Sequence, residues 1–237
     1  MNHFFYLKKS LCVLLSALLC AACLGCSAGE APAPAETPEA AETAAPTEAP
    51  EVSSAPSGAP KAEAPMVNGH VLTAFSAEEI ATLAEQANAI VPEDFTLPLV
   101  GGGEASLSDF SGKVTVLNCL GSWCGYCVAE LPHFQEAYEL YGGEVNFVGV
   151  DTFETGSYEA AITPVLSEAG ITFPVFLDES DKAGWYFSPR GSLPVTLFLD
   201  QAGVVRFYYG GAVSSADDLI YLIDFLLQHS DALPAVE

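Results

Sequence analysis

From residue 114 onward, short apolar runs alternate with longer stretches of helical spacing. The apolar runs of strand length are VTVLNCL, VNFVGVD, ITFPVFLD, VTLFLD and VVRFYYG. Between the first four of them, apolar residues recur at every third or fourth position, as on the buried face of a helix. The first two runs predict a βαβ unit with a right-handed crossover, and the last two, joined only by QAG, predict an antiparallel hairpin. The pattern therefore predicts an α/β fold with a central mixed sheet flanked by helices.

An amphipathic segment and a hairpin precede the first of these strands. Ser76 and Glu79 have the spacing of a capping box at the start of a helix. The apolar stripe of that helix consists of Ile80, Leu83, Ala84, Ala87 and Ile90. Residues 66–92 are thus predicted to be an N-terminal helical extension of a domain over 93–237. Within that domain, FTLPLV and ASL flank the glycines at 101–103 and indicate a hairpin.

Residues 1–26 have the pattern of a bacterial lipoprotein signal peptide. Lys8 and Lys9 precede an apolar run that is too short for a comfortable membrane span. The run ends in CAACLGCSAG, which resembles a lipoprotein cleavage site with Cys26 as the acylated residue. Cys23 is the alternative lipid anchor, and secretion without a lipid is the third reading.

Residues 27–65 are dominated by Ala, Pro, Glu, Thr and Ser and contain no aromatic residue. This composition cannot bury a core, so it predicts a disordered linker. In an extended polyproline form the linker would reach up to about 120 Å, at roughly 3.1 Å per residue. A domain tethered in this way can search a wide volume above a membrane.

The charge of the chain limits its partners. The formal net charge is −24 at pH 7. A surface this acidic is repelled by nucleic acid and by anionic lipid, which argues against both as binding partners. Attachment to a membrane would therefore depend on the lipid at Cys26.

The candidate chemistry lies in the segment VTVLNCLGSWCGYCVAELP, residues 114–132. Its apolar strand is interrupted at Gly121, and Ser122 is predicted to cap the helix that follows. Cys124 then lies at a helix N-terminus, where free backbone N–H groups and the helix dipole stabilise a thiolate and lower its pKa. We therefore expect Cys124 to be the exposed, attacking thiol.

Helical phase places the other groups of this segment. Cys127 shares the buried stripe with Leu131 and Phe134, so it is predicted to be the recessed, resolving thiol. Glu130 lies about 60° from Cys127 at the edge of the core, where burial would raise its pKa and allow proton exchange with Cys127. The alternative is that Glu130 is a solvated helix residue. Pro132 is expected to kink the helix just beyond the site.

The cysteines leave several alternatives open. Four of the seven lie in the first 26 residues, which leaves Cys119, Cys124 and Cys127 and argues against a disulfide-stapled scaffold. Together with His133, these three give the four ligands that a structural zinc site needs. A strand cysteine that points into the core is not expected to converge with the others. A copper-delivery module is a further metal-binding alternative. Haem attachment needs His where the chain has Val128, and a peroxidase needs Thr or Arg just before Cys124.

The segment LNCLGSWCGYCVAELP resembles the thioredoxin superfamily, in particular its TlpA/ResA-like extracytoplasmic disulfide reductases. The resemblance extends from about Phe95 to the C-terminus and implies a thioredoxin-like fold with an α-β insertion over 156–177. Asn118 lies where this branch carries Asn, and Glu130 lies where it carries its functional acid. Cys119 departs from the pattern, which usually has an aromatic residue there.

The resemblance also implies an activity and partners. Cys124 and Cys127 would form the redox-active disulfide, and a cis bond before Pro194 would place Leu193 and Pro194 beside it, facing an extended substrate. Trp123 is expected to shield the pair and pack next to that substrate. The expected enzyme is a membrane-tethered reductase of extracytoplasmic protein disulfides, as in cytochrome c maturation, re-reduced by a membrane thiol donor. Neither a metal nor another cofactor is expected.

Overall fold

The structure is a computed structural model that describes residues 65–236. The expected signal peptide over 1–26, its acylated Cys26 and the linker over 27–65, apart from Pro65, lie outside the described residues. Within the described part, none of the helices combines the length and the hydropathy needed to cross a membrane.

The first elements are two small hairpins separated by a helix. In order they are β1 (Met66–Val67), β2 (His70–Val71), α1 (Ala77–Gln86), β3 (Thr96–Pro98) and β4 (Glu104–Ser106). Ser76 caps α1 through a capping box with Glu79, as predicted. β3 and β4 pair as the predicted antiparallel hairpin. The β1–β2 hairpin was not predicted, because strands of two residues show no periodicity.

The remaining elements build the core. In order they are β5 (Thr115–Leu120), α2 (Gly125–Tyr141), β6 (Asn146–Asp151), α3 (Tyr158–Ala169), β7 (Val175–Leu177), α4 (Lys182–Phe187), β8 (Val195–Leu199), β9 (Val205–Gly210) and α5 (Ala216–His229). The strands form one sheet in the order β7-β6-β5-β8-β9. β5, β6 and β7 are parallel, whereas β8 is antiparallel to both β5 and β9. The predicted mixed sheet is confirmed.

β5 is the central strand, and all six of its residues are buried. Because successive side chains point to opposite faces of a sheet, Val116 and Leu120 pack in the apolar cluster that contains α2 and α5. Leu117 and Cys119 pack in a second cluster on the other face. The two faces of β5 therefore separate Cys119 from the helix that carries Cys127.

The segment that follows α1 covers the edge of the sheet. Asn88 N donates to Arg206 O at 2.7 Å, and Val205 N donates to Ile90 O at 2.8 Å. Arg206 is itself buried and forms an ion pair with Asp200, with Nε and Oδ2 2.7 Å apart. These bonds satisfy backbone groups that β9 would otherwise expose as an edge strand.

Candidate active site

Cys124 and Cys127 form a disulfide at the start of α2, with their Cα atoms 5.2 Å apart. Cys124 is itself the N-cap residue, because its Sγ accepts a hydrogen bond from Cys127 N at 3.2 Å. The prediction that Ser122 caps the helix is wrong. Both Ser122 N and Ser122 Oγ donate to the carboxylate of Glu154, the hydroxyl at 2.9 Å. The Cys124 sulfur therefore lies at the free N–H groups of the first helical turn, where a thiolate is stabilised.

The two sulfurs differ in access. Cys127 is fully buried, and Cys124 is 6% exposed. Cys124 is the more exposed of the two cysteines, as predicted. It is nevertheless less exposed than expected, because it belongs to the apolar cluster that contains its disulfide partner. The residues beside it are open to solvent, with Trp123 57% and Tyr126 76% exposed. An aromatic surface thus surrounds a mostly covered disulfide.

Glu130 lies one helical turn beyond Cys127 and is 1% exposed. Asn118 Nδ2 donates to its Oε1 at 2.9 Å, and Val213 N donates to its Oε2 at 2.9 Å. Both bonds favour the carboxylate, but burial has the larger effect and raises the pKa of Glu130 to about 7. The alternative of a solvated helix residue is therefore wrong, and Glu130 can exchange a proton near neutral pH.

The neighbouring amide of Asn118 can form a hydrogen bond with Glu130 in either protonation state. Its Nδ2 donates to Glu130 and, at 3.3 Å, to Thr196 Oγ1, while its Oδ1 is buried and has no partner among residues 65–236. An amide carries two donors on one end and an acceptor on the other. If the amide rotates, Oδ1 can accept the proton of a neutral Glu130. Asn118 Oδ1 is therefore an unused acceptor beside Glu130, the acid that titrates.

The peptide bond between Leu193 and Pro194 is cis, as the resemblance implied. Pro194 precedes β8, whose first residue, Val195, is paired with Cys119 near the end of β5. The cis bond consequently lies at the same end of the sheet as the start of α2. Leu193 and Pro194 also line a surface cleft together with Tyr208.

Cys119 is separated from this site by the sheet. It is fully buried on the face opposite to Cys127. Burial, with the charge of Asp178 nearby, raises the pKa of its thiol, and a buried neutral thiol is unreactive. Among the described residues, a zinc set that combines Cys119 with the other two thiols and His133 does not converge.

Sequence reasoning missed a group of acids at this edge of the sheet. Asp151 ends β6 and is fully buried, and Glu154 binds the loop that precedes Cys124. Asp178 is also fully buried, directly after β7. The signal that could have found these residues is topological, since polar residues that follow parallel strands gather at the carboxyl edge of the sheet.

Comparison with known proteins agrees with this fold. Residues 88–208 match the AhpC/TSA family, which is more than half of the chain. The chain belongs to this family. One relative, the thiol-disulfide oxidoreductase ResA of Geobacillus kaustophilus, is 32% identical over 127 residues, which cover 52% of the chain and 70% of the relative.

Solved structures share the fold of the described domain. A DsbF homologue from Corynebacterium diphtheriae has a TM-score of 0.52 and 27% identity, covering 60% of this chain and 88% of that one. A thioredoxin family thiol:disulfide interchange protein from Chlorobium tepidum has the same fold, with a TM-score of 0.52, 20% identity and coverage of 60% and 98%. The present AhpC/TSA member is thus a thiol–disulfide oxidoreductase with a thioredoxin-like fold, and both predictions are confirmed.

Proposed function

We propose that this protein is a membrane-tethered disulfide reductase that acts on extracytoplasmic protein disulfides. The Cys124 thiolate attacks one sulfur of the partner disulfide, which forms a mixed disulfide and releases one partner thiolate. The Cys127 thiolate then attacks Cys124 Sγ, which restores the Cys124–Cys127 disulfide and releases the second partner thiolate. Two electrons pass to the partner, and Glu130 exchanges the proton of Cys127. A membrane thiol donor returns the pair to the dithiol.

The observation that carries this proposal is the order of three groups along α2. Cys124 Sγ already accepts an N–H of the first turn, so a negative sulfur is stabilised at that position. Cys127 is buried behind it, as suits a thiol that acts only on the mixed disulfide. Glu130 follows within the core with a pKa raised to about 7, close to the pH at which the proton must move.

We assign partner binding to Trp123, Leu193 and Pro194. Trp123 is exposed immediately before Cys124 and supplies a large rigid surface. The cis bond before Pro194 lies at the same end of the sheet, where an extended partner segment can bond to the backbone. Together these residues support a substrate that is a stretch of polypeptide around a disulfide.

The Cys124–Cys127 pair should be reducing relative to strongly oxidising disulfide-forming enzymes. The acidic surface and Glu130 both disfavour the thiolate that would stabilise the reduced state, so the disulfide is favoured. After equilibration with glutathione buffers and mass-tagging of the free thiols, we expect the pair to be oxidised wherever most of the glutathione is oxidised. A Cys119→Ala variant should give the same equilibrium. If the pair stays reduced in such a buffer, the assignment as a reductase is wrong.

The proposed tether can be tested separately, because it rests on the sequence over 1–65. Cys26→Ser should move the full-length protein from the membrane fraction to the soluble extracytoplasmic fraction, because the acylated thiol is lost. The matched change Cys23→Ser should leave it on the membrane. Fractionation with immunodetection distinguishes the outcomes. Release by Cys23→Ser alone would make Cys23 the anchor, and release by neither change would contradict a lipid tether.

A further inference from the structure

The last residue of β6, Asp151, lies beside the strand end from which the active-site loop departs. Asp151 is paired in register with Leu120, the last residue of β5. Thr152 N then donates to Leu120 O at 3.0 Å, which fixes the two chain segments side by side. The loop 121–123 follows at once and leads into Cys124. Asp151 therefore lies at the base of the active-site loop.

The carboxyl group of Asp151 has no hydrogen-bond donor. The residue is fully buried, and neither Oδ1 nor Oδ2 has a partner among the described residues. A buried carboxylate without donors is strongly unfavourable. Glu154, three residues further along the chain, is close enough for its charge to reinforce the effect of burial, which raises the pKa of the Asp151 carboxyl. Two carboxylates cannot bond to each other, because both are acceptors, but a protonated carboxyl donates to an ionised one.

Glu154 is also the acceptor that holds the active-site loop. Its carboxylate receives the N–H and the hydroxyl of Ser122. The next loop residue, Trp123, donates its Nε1–H to Phe153 O at 2.9 Å. Phe153 and Glu154, which follow β6, thus bind Trp123 and Ser122, the two residues before Cys124.

The backbone of Phe153, just before Glu154, is held in an unusual conformation. Phe153 has φ 60°, a value that a bulky side chain rarely adopts. Its N–H donates to Asp181 Oδ1 at 2.8 Å, and its ring packs on Trp185 with the centroids 4.7 Å apart. Contacts on both sides therefore impose the turn that brings Glu154 to Ser122.

We propose that Asp151 and Glu154 share one proton and act as a positioning pair for the redox site. In this arrangement the protonated Asp151 carboxyl donates to Glu154 and keeps it in place, and Glu154 keeps Ser122 and Trp123 in place before Cys124. The two acids then carry a single negative charge between them.

The surroundings of the pair favour retention of that proton. The charged groups that face Asp151 are Glu154, Asp178 from the end of β7 and Asp181 from the start of α4, and all are acidic. Asp178 and Asp181 already accept hydrogen bonds from other groups, among them Gly184 N and Tyr158 OH. Burial, reinforced by these negative neighbours, raises the pKa of Asp151 to about 9. The proton should therefore persist at neutral pH, where exposed carboxyl groups are ionised.

Infrared spectroscopy tests the shared proton without reference to any activity. The oxidised full-length protein is measured at a pH between about 7 and about 9, the pKa values of Glu130 and Asp151. We expect a carbonyl band of a protonated carboxyl that is lost in Asp151→Asn, whose amide donates to Glu154 in place of the proton. The band should persist in Glu130→Gln and in Glu179→Gln, which removes an exposed neighbouring acid. Its absence from the unmodified protein, or its loss in Asp178→Asn instead, would overturn the proposal.

Exchange kinetics test the positioning role of Glu154. This experiment rests on the proposed function of Cys124. Glu154→Ala should slow the attack of the reduced protein on oxidised glutathione by about tenfold, because the loop before Cys124 is no longer held. Glu154→Gln should restore most of the rate, since its amide oxygen still accepts from Ser122 N. If Glu154→Ala exchanges as fast as the unmodified protein, Glu154 does not position the site. Failure of the proposed function itself would appear differently, as no exchange in the unmodified protein.

Discussion

Replacement of Cys124 with serine should abolish thiol–disulfide exchange, with a fall in rate on the order of a thousandfold or more, because a serine hydroxyl cannot form the mixed disulfide. Cys127→Ala should keep the first step and stop at the mixed disulfide, since the resolving thiol is missing. The rate is measured as reduction of a protein disulfide. The trapped complex is measured as a band on a non-reducing gel, from which the partner can be identified.

Cys119→Ala is the matched control, because it removes a thiol from the same chain without touching the pair. Its exchange rate should be unchanged. Brief alkylation of the reduced, folded protein should label Cys124 first and spare Cys119, which is fully buried and has a raised thiol pKa. After unfolding, all three thiols of the domain should react. Labelling of Cys119 as fast as Cys124, or a first step that depends on Cys127 instead, would reverse the assigned roles.

The features that sequence predicted well depend on local geometry. Helical phase relative to Cys127 placed Glu130 at the edge of the core, because a helix fixes the direction of each side chain from residue spacing. The structure then decided between that position and a solvated one. The capping box of Ser76 and Glu79 is local in the same sense. The parallel pairing of β5 and β6 and the antiparallel hairpin of β8 and β9 followed from the periodicity and from the short QAG connection, since chain connectivity restricts the topologies available.

The features that sequence missed depend on contacts between distant residues. Ser122 has the residue type of a helix cap, but the carboxylate of Glu154, 32 residues away, competes for it and binds it. The sulfur of Cys124 then takes the capping position. The first hairpin is held in a similar way, because Thr73, just after it, donates its N–H and hydroxyl to the buried Asp224 of α5. Local propensity carries no information about such partners.

Glu130 and Asp151 both have raised pKa values, but they differ in their hydrogen-bond partners, which separates their roles. Glu130 accepts two N–H donors and lies within the helix that carries both thiols. Asp151 has no N–H donor within the part of the chain that the structure describes, and it lies on the strand beside β5. Donors favour an ionised carboxyl and their absence favours a neutral one. In the proposed mechanism Glu130 therefore changes its protonation state during turnover, whereas Asp151 retains its proton.

Glu130→Gln should reduce the exchange rate by about a hundredfold, as expected for loss of a general acid–base, and should flatten its pH dependence between about pH 5 and 9. The substitution fits the site, because rotation of the Asn118 amide turns its unpaired Oδ1 toward the new Nε2. Glu136→Gln removes an exposed acid from the same helix and is the matched control. An unchanged rate profile in Glu130→Gln would leave the mechanism to the two cysteines.

The same variant makes a separate prediction about stability. The folded-state pKa of Glu130, about 7, lies above its ordinary value of 4.5. Protonation of Glu130 therefore stabilises the fold, and this contribution is fully present below the ordinary value and lost as the pH rises through about 7. The loss is at most roughly 3.5 kcal/mol, since one unit of pKa difference corresponds to about 1.4 kcal/mol. Urea unfolding of the oxidised protein should show that the free energy of unfolding falls less with pH in Glu130→Gln than in the unmodified protein or in Glu136→Gln. Parallel curves for all three proteins would mean that Glu130 ionises in the folded state without cost.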